Sequence, residues 1–243
     1  FIKLLATEDH IIDVVQSELT SHVLVSTMIP GCIEKGKDIT AGGAIYHTTT
    51  PFGAGLATAT DSLAAIKKAV FEDRSVSMDE LLHALDTDFE GMEGEKIRQK
   101  LLATPKFGND DDYVDEFARF LTDTFMKEVE TYESGRGGHL VGGFFTLSST
   151  VPLGHETPAT PNGRKARTPI SDSVSPTNGV EENGPTAVLN SAAKIDHSRC
   201  AAGNAVNIKF SPGALESAGK LEKFANLITA YLIDMHGFEV QIN

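Results

Sequence analysis

The C-terminal half of the chain alternates strand and helix, and that alternation narrows the possible folds more than any other feature. Ala205 to Phe210 alternates apolar and polar residues as a strand does. Leu221, Phe224, Ile228, Leu232 and Met235 recur at three- and four-residue spacing, the mark of a long amphipathic helix, with Gly237 as its C-cap glycine. A further strand begins at Phe238. Upstream, Thr186 to Ile195 reads as a helix, and Val141 to Val151 reads as a buried strand led in by Gly142 and Gly143. The order predicts an α/β sheet or barrel, with no internal repeat and no boundary between independent domains.

The first half is mainly helical. Leu4, Leu5, Ile11, Ile12, Val15 and Leu19 mark one helix, and Leu63, Ile66 and Val70 a second that Thr60 or Asp61 can cap. Gly31 to Gly55 is rich in Gly, Thr and Pro and reads as loop. Ser77-Met78-Asp79-Glu80 is a capping box before Leu81, Leu82 and Leu85. A short helix covers Glu95 to Leu102. Asn109-Asp110-Asp111-Asp112 lacks the ligand register of a calcium loop, so its role is to cap the helix carrying Val114, Phe117, Leu121, Phe125 and Val129. Pro152 to Pro185 is a long Pro-, Gly-, Ser-, Thr- and Asn-rich segment. Its regular turn chemistry and lack of low-complexity bias point to an ordered, functional loop.

Charge removes some functions. Acidic residues number 34 against 21 basic, a net charge of −13, which disfavours a binder of phosphate backbones or anionic membranes. No apolar run approaches the roughly 20 residues of a membrane helix. Two cysteines, Cys32 and Cys200, make no disulfide framework and fit a reducing, cytoplasmic compartment. The ends, Phe1 within a helix and Asn243 within a strand, suggest an internal piece of a longer protein.

Individual candidates for chemistry are weak. Gly135-Arg136-Gly137-Gly138 lacks the Lys and Ser/Thr of a phosphate loop and reads as a backbone turn. The eight histidines are scattered without metal-ligand spacing; His155 and His197 are the most interesting, and a structural role is the commoner one. Cys32 and Glu34, two apart in an extended loop, would point the same way and could pair a sulfur-centred reactive group with a proton acceptor. A buried inert cysteine beside a surface carboxylate is the alternative.

Longer motifs are more specific. Gly154-His155-Glu156-Thr157-Pro158-Ala159-Thr160-Pro161-Asn162-Gly163-Arg164-Lys165-Ala166, followed by Pro169-Ile170-Ser171-Asp172-Ser173-Val174-Ser175-Pro176, resembles the signature of the glycyl radical enzymes, the family of pyruvate formate-lyase and glycerol dehydratase. So do Gly31 to Asp38 with Gly42 to Tyr46, Ala59 to Lys68, Phe107 to Asp111, Asn183 to Leu189 and Lys194 to His197, in family order across nearly the whole chain. The wording resembles the dehydratase-lyase branch.

The resemblance implies part of a ten-stranded α/β barrel with peripheral helices. Residues 1–243 would be a single incomplete domain, 1–135 mainly helical and 136–243 the strand, loop and helix portion. It implies radical cleavage of a C–O, C–N, C–S or C–C bond in a small organic substrate, in anaerobic metabolism. A pyruvate formate-lyase-type acyltransferase and a non-catalytic scaffold are the alternatives. No cofactor is bound directly. A glycyl radical outside this chain is installed by a radical-SAM activating enzyme carrying an iron–sulfur cluster, and the full-length protein is expected to be a homodimer. The flanks of Gly31-Cys32-Ile33-Glu34 resemble a second, non-catalytic cysteine segment, which leaves no catalytic residue in the chain; Cys32 and Glu34 as thiyl and base are the competing assignment. The family's substrate-lining strand matches Phe144 to Val151. Alternation there sets Phe144, Thr146, Ser148 and Thr150 on one face as substrate-binding residues, and Phe145, Leu147 and Ser149 on the other. Asn162, Gly163 and Arg164 would shape the wall near the radical loop, or Arg164 would be a structural ion-pair partner. No metal ligand is expected.

Overall fold

The computed structural model describes residues 1–243; only the side chain of Leu147, placed above on the face with Phe145, lies outside the described residues. The chain divides into two compact units.

The first unit comprises residues 1–52, 123–143 and 199–202. Helix Ile2–Leu19 buries Ala6 against Val129 and Leu140, with Ile2, Phe125 and Tyr132 around them. The same helix buries the carboxylate of Asp13. Its Oδ1 accepts from the Arg136 guanidinium (Nε 2.7 Å) and its Oδ2 from Thr49 Oγ1 (2.5 Å). Residues 135–138 form a backbone turn, with the Ser134 N–H donating to the Gly138 carbonyl. The Gly31–Gly55 stretch is less irregular than its composition suggests. It holds short helical turns at Cys32–Lys35 and Ile39–Ala41, and another, Val23–Ser26, lies just upstream. Asp38 joins two of them: it accepts from the His22 and Thr40 N–H groups and the Ser26 and Thr40 hydroxyls, which hold its carboxyl at about 2.

The second unit comprises residues 53–122, 144–198 and 203–243. Helix Leu56–Ala65 starts at Gly55, whose φ of +74° is the left-handed conformation glycine adopts without strain. It begins before the Thr60 or Asp61 cap expected from sequence. Those two residues lie in the helix interior, because the preceding small residues are packed as helix too. The helix continues as a π-helical stretch, Ile66–Glu72. Ala65, Ala69, Val76, Leu81, Ala84, Phe89 and Leu101 form one apolar core under helices Met78–Asp86 and Gly91–Leu102. The Ser77–Glu80 capping box forms in both directions, at 3.2 and 2.7 Å. Asp111 caps helix Asp112–Val129 through Tyr113 N–H (3.0 Å), as the acidic run predicts.

Strands β1 (Ala205–Ile208) and β2 (Glu239–Ile242) pair in parallel, joined by helix Ala218–Thr229 and its π-helical extension to Asp234. The turn out of that helix puts positive φ on His236, not on Gly237. Gly237 is needed for a different reason: a Cβ there would sit 2.4 Å from the Tyr231 ring.

The strand expected over Val141 to Val151 does not form. Phe144 makes one parallel bridge to Asn204, and the backbone then turns helical at Thr146, through Leu147–Ser149 into helix Thr150–Glu156. Pro152 falls in the first turn of that helix, where its missing N–H costs nothing. Period-two alternation therefore ends at Thr146, and the inferred common face of Phe144, Thr146, Ser148 and Thr150 does not exist.

Candidate functional site

The second unit contains a cavity of about 810 Å³. One side is made at the C-terminal ends of the parallel strands, by Asn207 and Ile208 at the end of β1, Lys209 just after it, Gln241 in β2 and Asn243 just after β2. Parallel α/β sheets bind ligands at that end of their strands. The other sides come from Phe145, Ser148 and Thr150, from the Asp172–Pro176 segment, and from Gly184, Pro185 and Val188.

The polar wall is organised around Asp172. Its Oδ1 accepts from Thr146 Oγ1 (2.7 Å) and Ser173 Oγ (2.9 Å), and its Oδ2 accepts from the Asn207 amide. Thr146 and Ser173 also lock to each other. Each backbone N–H donates to the other's hydroxyl oxygen. That reciprocal pair holds Ser173 at a φ of +48°, a conformation a β-substituted residue adopts only when its surroundings enforce it. Ser175 Oγ accepts from the Asn207 N–H (2.9 Å), and Asn243 Nδ2 donates to Asn207 Oδ1 (3.3 Å). A short loop and two strands thus share one network, in which the donors and acceptors of Asp172 and Asn207 are satisfied by protein. Ser148, Thr150, Lys209 and Gln241 also line the cavity, and their side chains make no hydrogen bond among the described residues.

Of the four residues picked from sequence, Ser148 and Thr150 line the cavity. Thr146 stands behind the wall and braces Asp172. Phe144 is buried, its N–H bonded to the Gly203 carbonyl and its ring where a Cβ on Gly53 would collide. Phe145, assigned to the opposite face, reaches the cavity. Sequence reasoning missed Asp172 and Asn207 as wall residues. The Ser-Asp-Ser motif was visible, but nothing local says that its carboxylate meets an amide from a strand 35 residues on.

The remaining candidates are structural in geometry. Arg164 is buried and forms no ion pair among the described residues. Its guanidinium donates to the carbonyls of Thr157, Pro158, Lys165 and Thr168 and to Thr160 Oγ1, drawing the 157–168 loop around itself. His197 is buried between the Ala192 carbonyl and Asn204, and burial depresses its pKa. His155 is exposed beside Glu156. Cys32 and Glu34 lie on a helical turn, not in an extended loop, so they do not point together. Cys32 is buried, and Glu34 Oε2 reaches back to accept from the Gly31 N–H (2.9 Å). Asp61 is fully buried, accepting from the Phe107 N–H (2.8 Å) and Thr177 Oγ1 (3.3 Å); burial pushes its carboxyl up to about 7. The nearby Lys106 ammonium, spent on the carbonyls of Leu101 and Thr104, is pushed down to about 8 by its own burial.

Residues 1–154 match the family model described as pyruvate formate lyase-like, and residues 170–243 match the one described as glycine radical. The chain belongs to the glycyl radical enzymes. It is 40% identical over 222 residues to trans-4-hydroxy-L-proline dehydratase of Clostridioides difficile, a match covering 90% of this chain and 28% of that protein. It is 35% identical over 242 residues to the probable dehydratase YbiW of Escherichia coli, covering 97% of this chain and 30% of that one. The glycerol-bound B12-independent glycerol dehydratase of Clostridium butyricum superposes with a TM-score of 0.94 at 40% identity, over 100% of this chain and 30% of that structure. The chain thus has the α/β fold of this family and spans about 30% of the length of the relatives it matches.

Proposed function

We propose that this chain is one portion of a glycyl radical lyase or dehydratase that cleaves a C–O, C–N, C–S or C–C bond in a small organic substrate. On this reading residues 1–243 are a single incomplete domain, β1 and β2 are two strands of a ten-stranded α/β barrel, and the cavity is a sector of the barrel interior. The observation that carries the reading is the polar cavity at the strand ends in a chain of this family.

Within that sector, Ser148 and Thr150 offer their hydroxyls to the hydroxyl or other polar groups of the substrate. Thr146 keeps the wall in register through Asp172, and Phe144 closes the packing behind it. The thiyl cysteine, its carboxylate partner and the radical glycine belong to other parts of the polypeptide. The capped Glu34 and buried Cys32 favour a structural place for that pair. A radical-SAM activating enzyme would install the radical on the glycine of a homodimeric, cytoplasmic enzyme. A dry, enclosed cavity protects radical intermediates from quenching, the reason such chemistry uses a barrel interior.

The test is anaerobic activation of the full-length protein by its activase, read by electron paramagnetic resonance. A glycyl doublet with turnover of a small polyol, hydroxyproline or sulfonate supports the proposal. An activated mixture that shows no doublet overturns it.

A further inference from the structure

The cavity wall includes Asn178 and Glu181, in a stretch with no helix or strand of its own, and then Gly184 and Pro185, the first residues of helix Gly184–Ala193. What fixes it is a four-residue segment far away in sequence, Phe107-Gly108-Asn109-Asp110. Phe107 is tied down by Asp61. Gly108, at φ +95°, lies under Pro176 so closely that a Cβ would sit 2.2 Å from the proline ring. Asp110 holds the following helix: its N–H donates to Ser191 Oγ (2.9 Å), and its carboxylate accepts from the Asn190 amide (2.8 Å).

Asn109 does the central part. Its Oδ1 accepts from the backbone N–H groups of Glu182 (2.8 Å) and Asn183 (3.2 Å). Its Nδ2 donates to the carbonyls of Val180 (2.8 Å) and Lys106 (3.2 Å). Asn183 returns a bond from its own amide to the Asn109 carbonyl (3.0 Å). A single carboxamide thus reads acceptor and donor groups of three consecutive peptide units. Aspartate matches the acceptor half of that set but not the donor half; leucine and alanine match neither.

We infer that Asn109 is the positioning residue for the 178–185 wall of the cavity, acting through the backbone of residues 180–183 and touching no substrate itself. The functional consequence rests on the cavity reading above, whereas the geometric claim does not. The experiment is amide hydrogen exchange, resolved to Glu182 and Asn183, in the full-length protein and its Asn109→Ala and Asn109→Asp variants. Asn109→Ala should raise exchange at these two amides at least tenfold, while Asn109→Asp, which keeps the acceptor, stays within about threefold of the parent; protection in helix Met78–Asp86 should be unchanged in both. In the activated enzyme kcat/KM should follow the same order, with radical content unchanged by electron paramagnetic resonance. Equal exchange in all three proteins, or a uniform loss of protection along the whole chain in Asn109→Ala, overturns the inference. A parent protein that carries no radical would sink the proposed function and leave the exchange result standing.

Discussion

Two stretches of the same Pro- and Gly-rich segment are ordered by different balances of local and remote contacts. Residues 157–168 are gathered mainly from within, by Arg164 on carbonyls no more than seven residues away, with two outside ties: Arg98 Nε donates to the Gly163 carbonyl and the Ala166 N–H donates to Asp88 Oδ1. Residues 172–183 are held from without, by Thr146, Asn207, Asp61 and Asn109, which lie 26 to 116 residues off in sequence. Only the second stretch lines the cavity. A loop that closes on itself is a rigid support. A loop with several remote anchors besides its local turns has a shape set by several elements at once, as a binding wall requires.

The contrast can be broken at either end. Arg164→Ala is the severest case. It leaves four part-buried carbonyls without their Arg164 donors, each worth up to about 1 kcal/mol, so a loss of roughly 2–4 kcal/mol is expected in urea unfolding. Lysine at the same position should not restore it, because one ammonium cannot span the set. Asp172→Ala comes next. It strands Thr146, Ser173 and the Asn207 amide and should cost about 2–3 kcal/mol. Unlike the arginine variant, its effect on kcat/KM should exceed its effect on stability, since the damage lies in the wall.

Asp61 gives a pH signature to the remote anchoring. Its carboxyl titrates near 7 when folded against an ordinary value of 3.8. The folded state therefore keeps a proton that the unfolded state loses between those values. The contribution is full below pH 4 and falls by up to about 1.4 kcal/mol per pH unit as pH rises toward 7, then levels off. Asp61→Asn retains an acceptor for Phe107 and should flatten that slope in unfolding measured across pH 4–7. A slope unchanged in the variant would show that Asp61 is ionised in the fold. Ser77→Ala tests a purely local device. It should cost about 1 kcal/mol in thermal unfolding and leave turnover alone. Cys32→Ala should have the smallest effect, with turnover retained; loss of turnover with intact folding would return the thiyl role to Cys32.

What could be read along the chain follows from the range of the forces involved. The Ser77–Glu80 box, the Asp111 cap and the helices Ile2–Leu19, Asp112–Val129 and Ala218–Thr229 depend on residues within a turn or two of each other, although the Leu4, Ile11, Ile12, Val15 and Leu19 face read for the first helix is exposed and Ala6 and Asp13 are what it buries. β1 and β2 were legible as strands because alternation is also local. The family motifs located the wall region, and Ser148 and Thr150 were found within it. Extending a strand through Val141–Val151 failed because β structure needs a neighbour to pair with, and beyond Phe144 none is in reach. The Thr-Leu-Ser-Ser-Thr run with Pro152 closes its hydrogen bonds locally as helix instead.

The sequence by itself determined most of the helices, the Ser77 and Asp111 caps, the two strands and membership of a radical enzyme family, all through neighbours along the chain or words of adjacent residues. Only the tertiary structure decided that Asp172 meets Asn207, that Asp61 is buried against Phe107 and Thr177, and that Asn109 bonds the backbone of residues 180–183. Those are contacts between segments that share no sequence register. Their energies arise from burial and hydrogen-bond geometry, which exist only once the chain has closed on itself.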